Sequence, residues 1–157
     1  MARVKARSGA AARADYEEDF FAWTQEQAQA LRARATPGLD WDNLAEEIDS
    51  TGRRDRRELE SRLRRILHHL LKWQVQPELR GPSWRDTLFE QRRQAEKLLR
   101  ESPSLRPHLP ALRDEAYPDA VRDAVGDTGL RPRTFPAACP FTLEQILDQQ
   151  YLPEDES

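Results

Sequence analysis

The sequence predicts an all-α protein, a helical bundle built on one long central helix with shorter, proline-punctuated helices in the C-terminal third. Three observations carry this. Apolar residues recur at helical spacing in three long segments. No stretch alternates apolar and polar residues as a strand would. Ten of the eleven prolines lie at or after residue 77, so long helices are permitted before that point and only short ones after it. Amphipathic helices of this length are marginal alone and must pack on one another.

The first helix is expected to begin near Asp15, with Asp15 as cap and Glu18 at the capping-box position. Tyr16, Phe20, Trp23, Gln27 and Leu31 share one face, and Pro37-Gly38 ends the helix. The second helix is expected from about Asp42 to Val75. Its stripe is Leu44, Ile48, Leu59, Leu63, Ile66, Leu70 and Trp73. Gly52 falls on that stripe, where it marks either a close helix approach or a break; a continuous or mildly bent helix is the favoured reading. Trp41, ahead of this helix, is placed to staple onto Leu44 or Ala45.

Ser83 is expected to cap a third helix, with Asp86 at the box position and a stripe of Trp84, Leu88, Gln91, Ala95 and Leu98. Short helices are then expected over 107–117, 118–125 and 142–150, with Gly126 and Gly129 as punctuation. The whole reads as a basic disordered tail over 1–14, one helical domain over 15–153 and an acidic tail over 154–157.

Cys139 is the single cysteine, which rules out an internal disulfide and a multi-cysteine metal site. No apolar run approaches the roughly 20 residues of a membrane span. The first residues lack the apolar stretch of a secretory signal, so the expected location is the cytoplasm. The net charge of −3 conceals segregation. Residues 15–52 carry ten acids and two bases; residues 53–100 carry fourteen bases and seven acids; residues 101–157 carry five bases and eleven acids. The basic middle either meets a polyanion or is covered by the acidic segments of its own fold, and the second is the plainer account.

Five segments, in order, resemble a known family: Asp-Phe-Phe-Ala-Trp at 19–23, Asn-Leu-Ala-Glu-Glu-Ile-Asp-Ser at 43–50, His-Leu-Leu-Lys-Trp-Gln at 69–74, Ser-Pro-Ser-Leu at 102–105 and Phe-Pro-Ala-Ala-Cys-Pro-Phe-Thr at 135–142. Together they resemble the bacterial "domain of unknown function 29" over about residues 15–153. The resemblance implies an all-helical protein and supplies no catalytic residue. His69 sits within the His-Leu-Leu-Lys-Trp segment that carries the likeness.

Two candidate sites emerge. The first is Glu46, Glu47, His69 and Trp73. His69 lies at the edge of the apolar stripe, where a histidine is usually a hydrogen-bonded boundary residue and otherwise a ligand or proton carrier. Within one straight helix, Glu46 and His69 stand roughly 35 Å apart at 1.5 Å per residue. The chain has no His-Glu-x-x-His, no Glu-x-x-His, no phosphate-binding glycine loop and no Gly-x-Ser-x-Gly elbow, so neither metal nor cofactor is expected. Cys139 reads as a packed turn residue and His108 as an exposed one. The second candidate is a polyanion-binding face of Arg53, Arg54, Arg57, Arg64, Arg65 and Lys72, drawn partly from the seven arginines between Arg53 and Arg65. Its competitor is a solvated face with favourable pairs at Glu58–Arg62 and Glu60–Arg64. The expected function is a non-enzymatic protein-interaction module, with a protein partner or self-association. The alternative is a nucleic-acid-associated protein using the basic face of the second helix. A hydrolase or transferase with a Glu/His site is the third reading.

Overall fold

A computed structural model describes residues 13–154, and these are all-α. The helices are α1 (Phe20–Arg32), α2 (Trp41–Val75), α3 (Pro82–Glu101), α4 (Leu109–Thr128) and the short α5 (Leu143–Leu147). The chain divides into two compact units, one through Thr51 and one from Gly52. Of the tail expected over 1–14, residues 1–12 lie outside the described residues, as do 155–157. Arg13 and Ala14 are hydrogen-bonded to Pro37 and Glu26.

In the first unit, the helix cap is Asp19 and not Asp15. The Asp19 carboxylate accepts from the Ala22 amide, while Asp15 accepts from the amides of Glu17 and Glu18 and so closes a separate turn. Two aspartates four residues apart can each serve as a local acceptor, and Asp19, with non-helical backbone at φ −144° and ψ 80°, is the one that starts the helix. The helix also ends before Pro37-Gly38. Arg34 adopts φ 53°, and the Ala35 amide reaches back to Ala30, so the stop is a left-handed turn. Pro37 and Gly38 belong to the following 3₁₀ turn. Trp41 is the first residue of α2 and 60% exposed, so it staples nothing. Asp40 starts this helix, its carbonyl accepting from Leu44 and its carboxylate from Asn43.

α2 is continuous through Gly52. A Cβ at Gly52 would meet nothing within 4 Å, so the glycine serves no close approach. An exposed helical glycine costs backbone entropy without return. Gly52→Ala is expected to stabilise the protein by roughly 0.5–1 kcal/mol, read as a raised urea midpoint. An unchanged or lowered midpoint would count against this.

The second unit holds the core. Leu59, Leu63, Ile66 and Leu70 of α2 pack with Leu88, Ala95 and Leu99 of α3, Leu112, Ala116 and Ala120 of α4, and Ile146 of α5. α3 opens on Pro82 after Gly81, with no side-chain cap; Ser83 instead offers its carbonyl to the Thr87 hydroxyl. Proline at the first helical position is preset for the turn and lacks one of the amide donors a cap would have satisfied. The two helices expected over 107–117 and 118–125 are one helix, α4, with Pro118 inside it. Proline removes the bond to the Asp114 carbonyl, but Asp114 and Pro118 are both exposed, so water can satisfy that carbonyl. Burial of Tyr117, Ala120 and Ala124 holds the helix together past the defect. Gly129, at φ 69°, ends α4 with its amide on the Val125 carbonyl. The Thr142–Gln145 capping box starts α5, which is shorter than the 142–150 expected.

Candidate functional site

Each unit presents one arrangement beyond simple packing. In the first, the rings of Tyr16, Phe20 and Trp23 form a cluster, with centroids 4.8–5.8 Å apart. A polar network ties α1 to the start of α2. The Trp23 indole donates to Asp40 at 3.1 Å, Gln27 donates to the Gly38 carbonyl and accepts from the Asp40 amide, and the Tyr16 hydroxyl donates to Glu47. The bond to Glu47, with burial behind it, pushes the Tyr16 hydroxyl up to about 12. Donation from Asn43, aided by Trp23, holds Asp40 below the usual carboxylate range. Polar bonds therefore do much of the joining here, for Trp23 is the only fully buried apolar side chain among the described residues of this unit.

Large apolar groups stay outside. Phe21 is 74% exposed, Ile48 72% and Phe20 48%. Trp41, Leu44 and Ile48 stand at i, i+3 and i+7 and so share one face of α2. By sequence spacing these positions share the helical period of Leu59, Leu63, Ile66 and Leu70. Ile48 was expected in the core on this periodicity. The helix does aim it along the stripe, but nothing in its own unit covers it.

In the second unit, α4 lays a row of acids along α2. Arg56 pairs with Glu115 at 2.9 Å, Arg64 chelates Asp123 at 2.7 and 2.8 Å, and His68 meets Asp127 at 2.8 Å. The partners in these three pairs are all 59 residues apart, so the two helices run in the same direction. Lys72 also reaches the Asp127 carboxylate, at 3.0 Å, with its ammonium 4.8 Å from the centre of the Trp84 ring. Arg64 lowers Asp123, and Lys72 lowers Asp127, below the ordinary carboxylate range. Burial depresses His68, with Lys72 adding to the effect and Asp127 opposing it.

This is how the acidic and basic segments meet, and it changes the candidate polyanion face. Arg64 and Lys72 point at carboxylates of α4. Arg54, Arg57 and Arg65 are exposed, as is Arg53.

The candidate Glu/His set is divided between the two units. Glu46 and Glu47 belong to the first unit, His69 and Trp73 to the second. Glu47 holds the Tyr16 hydroxyl. His69 is 8% exposed, and its Nδ1 lies 3.0 Å from the Arg65 carbonyl. That carbonyl can only accept, so Nδ1 carries the proton. Burial lowers the imidazole to about 4, which keeps it neutral at physiological pH. Trp73 is buried beneath the guanidinium groups of Arg80 and Arg85, at 5.4 and 4.9 Å from its ring centre, and its carbonyl accepts from Arg80. It is an anchor for the start of α3. Cys139 is half-buried with its thiol raised by that burial, the opposite of what a nucleophile needs. Among the described residues, no three His, Cys, Asp or Glu side chains converge to hold a metal ion, and no helix is long and apolar enough to cross a membrane.

Sequence reasoning missed Phe21 as an exposed group, and while it expected acidic segments to cover the basic one, it did not name the acids of α4 that do so. The second had a signal: Glu115, Asp119, Asp123 and Asp127 recur every four residues, the spacing of one helix row. The family model described as domain of unknown function DUF29 matches residues 16–152. No curated protein and no solved structure matches the chain.

Proposed function

The chain belongs to the family of the domain of unknown function DUF29, a membership that names no reaction, and we propose that it works as a non-enzymatic protein-interaction module through its first unit. The observation that carries this reading is the pair of exposed apolar side chains Trp41 and Ile48, on one face of α2 with the half-buried Leu44 between them, together with Phe20 and Phe21 exposed on α1 of the same unit. Several large exposed apolar groups in one small unit mark a docking surface more often than a solvated one. Apolar anchors at i, i+3 and i+7 are the pattern by which helices recognise partners. The groups a hydrolase would need are engaged elsewhere, Glu47 by Tyr16 and the Nδ1 of His69 by the Arg65 carbonyl.

A photo-crosslinking side chain at position 48, introduced in the native cell, is expected to give one discrete protein adduct. The same group at the exposed position 100 of α3 should give none. Phe21→Ser should lower the yield at 48, because burial of one such side chain is worth roughly 1.5–3 kcal/mol, or about 10–100-fold in affinity. Equal labelling from both positions, or no adduct at 48, would overturn the proposal.

A further inference from the structure

Resting on the interaction reading above, we infer that the partner of the first unit is a basic amphipathic helix of another protein and not a second copy of this chain. The argument is one of charge around an apolar centre. Interfaces that last have an apolar core within a polar rim, and the sign of the rim selects the partner.

The rim here is predominantly acidic. Residues 15–52 carry ten acids against two bases. Exposed carboxylates of Glu17, Glu18 and Asp19 lie beside Phe20 and Phe21 in sequence, and Asp42 and Asp49 lie beside Trp41 and Ile48. In the second unit, by contrast, Arg56, Arg64 and Lys72 of α2 meet acids of α4 within the fold. In the first unit, Asp15 and Asp19 accept from backbone amides and Asp40 from Trp23 and Asn43. These bonds hold the carboxylates in place and neutralise none of them.

Self-association through this face would set one such acidic rim against another. Like charges brought together at an interface cost several kcal/mol, and that repulsion rejects the wrong partner. The chain's own first twelve residues bring three cations, but Met1 and Val4 are their only large apolar side chains. They can supply charge without anchors. A helix with an apolar stripe flanked by Lys and Arg supplies both. A helix is the matching shape because the anchors at 41, 44 and 48 form a straight ridge along α2, and a ridge packs into the groove of another helix.

The test uses the full chain and three synthetic 18-residue helical peptides with the same leucine stripe and with lysine/arginine, glutamine or glutamate rims. Binding is read by fluorescence anisotropy of labelled peptide, and self-association by sedimentation. The basic peptide is expected to bind at least tenfold more tightly than the glutamine peptide, with the glutamate peptide weakest. Its affinity should fall several-fold between 50 and 500 mM salt. Trp41→Ser with Ile48→Ser, which leaves every charge in place, should weaken it at least tenfold. Asp42→Asn with Asp49→Asn should weaken it and flatten the salt dependence. Equal binding of all three peptides, lost in the serine variant, would overturn the charge assignment and leave the docking face standing. A dimer abolished by Ile48→Ser, with no peptide bound, would replace the basic helix by a second copy. Basic-peptide binding that ignores the serine substitutions would be charge attraction alone and would overturn the proposal. No peptide bound and no Ile48-dependent association would overturn both the partner and the docking face.

Discussion

Arg92→Met is expected to lower the free energy of unfolding by about 3–5 kcal/mol. Arg92 lies on α3 and is 2% exposed, the most deeply buried charge among the described residues. Burial depresses its guanidinium to about 10. Nε donates to the Ile146 carbonyl at 2.8 Å, Nη1 to Tyr151 at 2.9 Å and Nη2 to Gln145 at 3.1 Å. These are carbonyls at and beyond the end of α5, which has no later turn to donate to them. The arginine therefore supplies the donors that a five-residue helix lacks, and the favourable position of a cation at a helix C-terminus helps offset its own desolvation. Methionine fills much of the volume and supplies no donor. The carbonyls can then recover partners only if residues 143–152 leave the core and take water. Urea unfolding reads the loss, and hydrogen exchange should show it as early opening of that segment. Arg92→Lys, which can reach fewer of the three carbonyls, should fall between the two. A loss below about 1 kcal/mol for the methionine variant would show that the segment is held by Ile146 and Phe141 without the clamp.

The second large effect is acid sensitivity. His69 is held near 4 against an ordinary 6.5, so the folded state takes its proton less readily than the unfolded chain. The stabilisation is therefore fully present above pH 6.5 and is lost as pH falls from 6.5 through 4. Its size is about 3 kcal/mol. His68 shifts in the same direction, so it adds to the loss as pH falls below 6.5. Asp123 and Asp127, both lowered by their cations, add further losses only below the ordinary carboxylate range. Urea midpoints at pH 7.5, 6, 5 and 4.5 should fall steadily, and His69→Leu should flatten most of the decline. A wild-type midpoint constant from 7.5 to 4.5 would refute the assignment.

Most of the fold was legible because it rests on periodicity. The limits of α2 follow from its stripe and from Pro77, and they agree with the structure to one residue. The ends of helices were harder to read because several local acceptors compete. Asp15 and Asp19 satisfy the same short-range rule, and backbone geometry chooses between them. Pro118 reads as a boundary, and only burial of the residues on either side of it makes it an interior residue. The candidate face was half legible. Periodicity says that Ile48 and Leu59 share a face, but not that one is covered and the other is not. The charge segregation announced that acids and bases would meet. It could not say that α4 would take Arg64 and Lys72 and leave Arg57 exposed, because that depends on how the two helices are rotated against each other.

The row of pairs between α2 and α4 also has a place in time. Each contact closes a loop of about sixty residues, and the two helices, running in the same direction, can meet only after α3 has carried the chain back along α2. The pairing of α2 with α3 is closer in sequence, as the Arg62–Gln91 bond shows, and should come first. Docking of α4 is then a late event, reached after the folding barrier has been crossed. Interactions made that late govern how long the native state lasts and have little influence on how fast it forms. In stopped-flow experiments, Asp123→Ala should steepen nothing and slow nothing on the refolding limb, yet shift the unfolding limb upward. A slowed refolding limb would place α4 in the nucleus instead.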